Sequence, residues 1–142
     1  MIVLDTNVVS EFMQPDPDGR VHAWLDELRT QEVWTAAPVV AELSLGIALL
    51  PVGAKRRLLT ENFARVLDGF RERILPFATP DAIEYGRIVA GRRAAGRPIS
   101  IGDAQIAAIA VRADAVIATR NVRDFEGTGA RVVNPWLPEE ER

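Results

Sequence analysis

The sequence contains no cysteine and only one histidine. The absence of cysteine among 142 residues excludes disulfide bonds, thiolate metal sites and a cysteine nucleophile. A single imidazole cannot build a metal cage of several histidines, and no acid or second histidine accompanies His22. We therefore interpret His22 as a structural or surface residue.

Long apolar runs and targeting signals are also missing. The longest stretch without charge, residues 43–54, contains two glycines and a proline and is too short to cross a bilayer. The amino terminus lacks a basic region followed by a long apolar one, which a secretory signal would have. We expect a cytoplasmic protein without a membrane segment.

What remains is the composition of one ordinary globular domain. Hydrophobic residues make up 48% and charged residues 26%, and a chain of this length buries a sizeable core. The net charge of −3 gives no overall attraction for nucleic acid. Residues 55–97, however, carry ten basic side chains against five acidic ones. That excess favours either a polyanion contact or mere solubility, and both interpretations stay open.

Short apolar runs alternate with helical patterns along the chain. The runs at 2–4, 33–36, 116–119 and 131–133 are typical of buried strands, and 74–77 of a short strand or extended link. Helices are predicted between them, at about 6–12, 18–28, 38–50, 54–73, 80–96 and 103–113. Alternating strands and helices predict an α/β fold, with a mostly parallel sheet between two helical layers.

Three carboxylates stand alone in apolar sequence. Asp5 directly follows the first strand, at the edge where ligand sites gather in open α/β sheets. Glu42 is the only charged residue of the predicted third helix, which is apolar nearly all round and is therefore expected to be buried. Asp103 is the only charged residue between positions 98 and 111.

Each of these acids also has an ordinary structural explanation. Asp5 suits a helix N-cap, Asp103 suits the first turn of a helix, and Glu42 would pair with a distant arginine. Three converging carboxylates, in contrast, would repel one another and require a cation between them. Hard oxygen donors favour Mg²⁺ or Mn²⁺, and such a site suits phosphodiester hydrolysis by metal-activated water.

A fourth polar group follows the predicted strand at 116–119. Asn121 lies nearest the end of that strand, and Asp124 lies about one turn further on. Asn121 would otherwise only shape the turn, and Asp124 would pair with Arg120 or Arg123. The spacing does not choose between Asn121 and Asp124 as a fourth ligand.

The ordered set of motifs resembles the PIN-domain nucleases. The resemblance rests on Asp5-Thr6-Asn7, Glu42, Asp103, Thr119-Arg120-Asn121 with Asp124-Phe125, and the ending Asn134-Pro135-Trp136. Among these nucleases the chain is most similar to the toxins of VapBC-type toxin–antitoxin pairs, including their FitB-like branch. The resemblance implies one PIN domain over residues 1–142, with a PIN-like three-layer α/β/α sandwich.

The resemblance also implies an activity and partners. The expected activity is a Mg²⁺-dependent endoribonuclease (Mn²⁺ would also serve), inhibited by a cognate antitoxin whose carboxy-terminal segment reaches the acidic site. The expected assembly is a homodimer that contacts promoter DNA only through the antitoxin.

Matching motif by motif assigns roles to particular residues. Asp5, Glu42 and Asp103 correspond to the metal ligands, with Asn121 or Asp124 as the fourth catalytic group. Ligands or water would be oriented by Thr6, Asn7 and Thr119. Phosphates that flank the cleaved bond would need cations, for which the candidates are Arg92, Arg93, Arg97 and Arg120.

Other functions are disfavoured by the same residues. Phosphatases of the haloacid-dehalogenase type carry the motif Asp-x-Asp after the first strand. This chain has Asn7 at the position of the second aspartate. A receiver domain needs a lysine after a late strand, but Lys55 is the only lysine. The remaining alternative is a catalytically idle module that binds RNA or a partner. The isolated carboxylates argue against it, because burying them without use is costly.

Overall fold

Five parallel strands form the central sheet in the order β3-β2-β1-β4-β5. The computed structural model describes residues 1–142. The strands are β1 (Ile2–Leu4), β2 (Val33–Ala36), β3 (Ile74–Leu75), β4 (Val116–Ala118) and β5 (Arg131–Val133). Six helices flank the sheet: α1 (Thr6–Glu11), α2 (Gly19–Asp26), α3 (Ala37–Ala48), α4 (Ala54–Phe70), α5 (Thr79–Ala94) and α6 (Ile101–Arg112). The predicted fold class is thus confirmed, and the sheet is parallel throughout.

The central strand explains why the amino terminus is so apolar. Ile2 of β1 is in register with Val33 on one side and Val116 on the other. Val3 and Leu4 have no exposed surface. A strand that is paired on both edges and covered on both faces requires a continuous apolar run rather than an alternating one.

The order in which the chain adds strands to the sheet reverses next to β1. The chain moves from β1 to β2 and β3 on one side, and then crosses to β4 and β5 on the other. In such sheets a crevice opens at the carboxyl ends of the two neighbouring strands between which the strand order reverses. Asp5 follows β1 and Thr119 follows β4, and the Asp5 amide donates to the carbonyl oxygen of Ala118 at 3.0 Å. The candidate site therefore lies at the topological switch point.

The most deeply buried helix is α6. Its stretch from Ile106 to Ala110 is buried, and it packs against α5 and α3. Small alanines let neighbouring elements approach closely, while Ile106 and Ile109 fill the space between them. This packing fixes the start of α6, where Asp103 lies. None of the helices is both long and apolar enough to cross a membrane.

The third helix is less buried than its composition predicts. Only Pro38 and Val39 of α3 are buried, whereas Leu45 is 59% exposed and Leu49 is 75% exposed. The expectation that α3 is enclosed on all sides is therefore wrong. An apolar composition does not distinguish a core helix from one whose apolar face lies at the surface.

Candidate active site at the carboxyl edge of the sheet

Asp5 is the most enclosed acid of the site. It is 4% exposed and serves as the N-cap of α1, where its Oδ1 accepts a 2.7 Å hydrogen bond from the Thr6 amide. Capping and a place in the crevice are therefore compatible. Burial raises the pKa of Asp5, and the Glu42 charge raises it further, against the hydrogen bonds from Thr119, Thr6 and Asn7 that lower it.

Thr119 and Asn7 hold the second oxygen of that carboxylate. Oδ2 of Asp5 accepts from the Thr119 hydroxyl at 2.7 Å and from the Asn7 side-chain amide at 3.2 Å. The Thr119 oxygen in turn accepts from Asn7 Nδ2 at 3.3 Å and from the Asn121 amide at 3.0 Å. The Arg120 amide donates to Asn7 Oδ1 at 3.1 Å. These contacts hold the Asp5 carboxylate in one orientation.

Asp103 lies in the first turn of α6. Ser100 is the N-cap, and its hydroxyl oxygen accepts from the Asp103 amide at 3.1 Å. The pKa of Asp103 is raised to about 6, chiefly by burial and also by the charges of Asp5, Asp124 and Glu42, while the hydrogen bond with Ser100 lowers it. The charges of Asp5, Asp124 and Glu42 therefore all act on Asp103, and none of them is compensated by a cation in that effect.

Glu42 differs from its prediction in one respect. It is exposed on α3, so the expected buried carboxylate, with or without an arginine partner, is not what the structure contains. The Thr6 hydroxyl donates to Glu42 Oε2, which joins the start of α1 to α3. Glu42 is nevertheless close enough for its charge to raise the pKa of both Asp5 and Asp103.

Of the two candidates for the fourth group, Asp124 is coupled electrostatically to the other acids. It lies on the 3-10 helix Val122–Phe125, and its charge raises the pKa of Asp103. Asp124 forms no ion pair with Arg120 or Arg123, because Arg120 approaches Glu11 at 3.6 Å instead. Asn121 and Asp124 are both exposed, and the main chain of Asn121 rather than its side chain is held by the site.

The donor set fits a magnesium-like ion in its chemistry. The raised pKa values of Asp5 and Asp103 mean that their carboxylates are poorly stabilised as anions, and a hard divalent ion would neutralise them. No three of the acidic or histidine side chains are gathered closely enough to cage an ion by themselves. Mg²⁺ typically takes one or two carboxylates and keeps several waters, which this more open arrangement allows.

The four arginines expected to contact RNA have different surroundings. Arg92 is 6% exposed, and its guanidinium donates to main-chain carbonyls, so the expectation of an RNA contact there is wrong. Arg97 forms an ion pair with Glu126. Arg93 is exposed on α5. Arg120 lies near the acids, because its amide contacts Asn7.

Sequence reasoning missed two supports of the site. The first is Ser100, although the spacing Ser100-x-x-Asp103 is that of a capping box. The second is Trp136, whose ring lies under the Arg120 guanidinium at 4.1 Å. The Arg20 guanidinium donates to the Trp136 carbonyl oxygen at 3.2 Å, so the carboxy-terminal segment is tied back to α2. No local pattern predicts this long-range stacking.

Comparison with known proteins defines the class. The model of the PIN domain family matches residues 2–130. Together with the acids at the switch point, this match shows that the chain belongs to the PIN-domain family.

Relatives matched over nearly their whole length show which group of the PIN-domain family the chain is similar to. The chain is 43% identical to toxin FitB of Neisseria gonorrhoeae, over 96% of this chain and 99% of that protein. It is 37% identical to VapC ribonuclease Y4jK of Sinorhizobium fredii, over 97% and 99%. The solved structure of FitAB bound to a DNA fragment superposes with a TM-score of 0.90 and 41% identity, covering 100% of both chains. Within the family the chain thus groups with the VapC-type toxins of toxin–antitoxin systems.

Proposed function

We propose that this protein is a Mg²⁺-dependent endoribonuclease, the toxin of a type II toxin–antitoxin pair. The observation that supports the proposal is the enclosed Asp5 at the switch point of the sheet, whose carboxylate accepts hydrogen bonds from Thr6, Asn7 and Thr119, and whose charge, with those of Asp124 and Glu42, raises the pKa of Asp103. A relative that covers nearly the whole chain is named a ribonuclease. Mn²⁺ would substitute for Mg²⁺, because both accept oxygen ligands.

The acids would share the work of holding the ion and the scissile phosphate. A bound divalent ion supplies an activated water and neutralises charge on the phosphate. Asp5 and Asp103 are the primary ligands in this proposal, because both are partly or fully enclosed. Glu42 is exposed and contacts the Thr6 hydroxyl, and it would serve as a further oxygen ligand. Thr119 and Asn7 keep the Asp5 carboxylate in one orientation.

Cations for the flanking phosphates would come from arginines at the surface. The main chain of Arg120 contacts Asn7 while its guanidinium stacks on Trp136 and approaches Glu11, and Arg93 is exposed on α5. Binding through such contacts weakens as salt concentration rises. Single-stranded or looped RNA is the expected substrate form, since its backbone is accessible.

The test is RNA cleavage by the purified protein in EDTA and after addition of Mg²⁺. Cleavage should require the metal and leave 5′-phosphate and 3′-hydroxyl ends. Asp5→Asn and Asp103→Asn should abolish it, whereas Asp16→Asn, at an exposed loop position, should not. Metal-independent cleavage, or full activity of Asp5→Asn, would contradict the mechanism. RNA binding without any cleavage would favour the idle binding module.

The proposed inhibitor is a cognate antitoxin that docks beside the acids. A groove of about 600 Å³ runs from Thr6 and Glu42 between α1, α3 and α4 and is lined by Ile47, Leu50 and Leu59 among others. An apolar segment would fill it and bring a basic group to the carboxylates, and a solved structure of a relative shows FitAB bound to a DNA fragment. DNA contacts of the pair would come from the antitoxin. Leu59→Glu should weaken the complex with the antitoxin encoded by an adjoining short gene, and unchanged affinity would exclude this groove.

A second copy of this chain is the proposed occupant of the other side of α3. Leu45 and Leu49 lie one turn apart there, and both are exposed. Exposed apolar side chains that recur on one helical face are typical of self-association surfaces. The proposed assembly is therefore a homodimer.

A further inference from the structure

Arg92 on α5 is a buried cation without an acidic partner. Arginine is rarely buried unless it is paired, yet no carboxylate lies within ion-pair distance of this guanidinium. Its Nε donates to the Arg97 carbonyl oxygen at 2.6 Å. Its Nη1 donates to the carbonyl oxygens of Glu126 and, at 3.5 Å, of Arg123. Because an unsatisfied buried charge is costly, these carbonyls are held where the guanidinium needs them.

The three carbonyls belong to two segments that each lead to an acid of the site. Arg97 lies in the link between α5 and α6, shortly before the N-cap of the helix that carries Asp103. Arg123 and Glu126 stand on either side of Asp124, in the 3-10 helix and at its end. One guanidinium therefore ties the segment before Asp103 to the segment that carries Asp124.

Further contacts make this junction tighter. The Arg97 amide donates to the Arg92 carbonyl oxygen at 2.9 Å, and the Arg97 guanidinium pairs with Glu126 at the surface. Gly127 has a positive φ of 74°, and a Cβ there would lie 3.8 Å from Cδ of Arg92. Gly127 thus lies against the aliphatic part of Arg92, while the main-chain carbonyls of Arg123 and Glu126 accept hydrogen bonds from the Arg92 guanidinium.

The contacts of Arg92 oppose the electrostatic repulsion between Asp103 and Asp124. Asp103 and Asp124 carry like charges, and a 3-10 helix of four residues is a weak element by itself. We propose that Arg92 is a positioning residue that sets the separation of Asp103 and Asp124, and thereby the affinity of this edge for a divalent cation. The inference rests on the cation site of the proposed function, but it concerns how the protein builds that site.

The test is calorimetric titration of the whole protein with Mn²⁺, in the wild type, Arg92→Met and Arg92→Lys. The control is Arg112→Met, at an exposed position in the last turn of α6. Arg92→Met should weaken Mn²⁺ binding about 10- to 100-fold, the usual effect of losing a group that orients metal ligands. Arg92→Lys should give an intermediate loss, because lysine lacks the planar fork that reaches several carbonyls. Arg112→Met should bind like the wild type.

Hydrogen exchange without metal gives a second readout. In EDTA, Arg92→Met should speed amide exchange in residues 100–104 and 122–126 together, and leave β1 and β4 protected. If Arg92→Met fails to fold, Arg92→Lys decides by the same two measurements. Wild-type Mn²⁺ affinity in the folded Arg92 variants would overturn the inference, as would a wild-type protein that binds no Mn²⁺. A wild-type protein that binds Mn²⁺ but cleaves no RNA would end the nuclease proposal and leave the titration to decide this inference.

Discussion

The Thr119 hydroxyl donates a 2.7 Å hydrogen bond to Oδ2 of Asp5. The two residues are 114 positions apart in sequence, but they follow β4 and β1, which are neighbours in the sheet. The same hydroxyl oxygen accepts from Asn7 and from the Asn121 amide, so its hydrogen is directed at the carboxylate. Thr119 is the point at which both halves of the fold fix the orientation of Asp5.

Removing that hydroxyl should disturb the site more than the fold. Thr119→Val keeps the shape but removes an acceptor from the partly buried donors of Asn7 and Asn121, at a cost of about 1 kcal/mol in the free energy of unfolding. It should also raise the pKa of Asp5 further and weaken Mn²⁺ binding, whereas Thr119→Ser keeps the hydroxyl and should stay near the wild type. Thermal unfolding and Mn²⁺ titration of both variants check this. Equal behaviour of valine and serine would show that the hydrogen bond is unimportant.

The raised pKa of Asp103 gives a pH dependence to stability without metal. In the folded protein the pKa is about 6 against an ordinary value of 3.8, so between these values the folded state keeps a proton that the unfolded chain has lost. Stability should therefore fall as pH rises from about 4 to about 6. Asp103→Asn removes this contribution, so the gain in Tm over the wild type should be larger at pH 7.5 than at pH 4.5 in EDTA.

The matched control for this experiment is Asp16→Asn, at an exposed acid. Its effect on Tm should be small and the same at both pH values. Added Mg²⁺ should raise the Tm of the wild type, since binding to the folded state stabilises it, but not that of Asp103→Asn. A constant Tm difference between Asp103→Asn and the wild type across this pH range would contradict the electrostatic account.

Asp124 should matter more than Asn121 for the cation. Both side chains are exposed, but Asp124 raises the pKa of Asp103 through its charge, whereas Asn121 is neutral and is held through its main chain. Asp124→Asn should therefore lower the pKa of Asp103 and reduce cleavage at limiting Mg²⁺. Asn121→Ala should have the smaller effect on both quantities. The reverse ranking in carboxyl NMR titration and cleavage assays would make the Asn121 side chain the fourth ligand.

The exposed face of α3 predicts a change in assembly. Leu49→Glu should convert a dimer to a monomer, because Leu49 is 75% exposed in the single chain and a charge there opposes apolar contact. Ala64→Glu, at an exposed position on α4, is the matched control and should leave the mass unchanged. Light scattering after size exclusion measures the mass. A dimer that persists in Leu49→Glu would place the interface elsewhere.

The sequence predicts the edge of the site well, because the signal there is local. A continuous apolar run followed by an acid places Asp5 at the carboxyl end of a buried strand, and the same logic places Thr119 and Asn121 after β4. The capping position of Asp5 and the orienting contacts of Asn7 follow from neighbours in sequence. Residues within a few positions of a strand end are thus predictable.

Other features of the site depend on which helix faces remain exposed and on contacts between residues that are distant in sequence. Glu42 was expected to be buried because α3 is apolar, but the exposure of α3 is decided by which elements pack on it. Arg92 lies in a basic stretch, which is why the sequence suggests a phosphate contact. Only the folded chain shows that its guanidinium donates to main-chain carbonyls. The stacking of Arg120 on Trp136 joins distant segments in the same way.

The central claim is that Asp5 and Asp103 hold a divalent cation together. Its most direct test is Mn²⁺ titration at pH 7.5 of the wild type, Asp5→Asn, Asp103→Asn and the exposed control Asp16→Asn. The account predicts that the wild type and Asp16→Asn bind Mn²⁺ equally, and that either substitution in the crevice abolishes this binding. Unchanged Mn²⁺ affinity in folded Asp5→Asn or Asp103→Asn would contradict it.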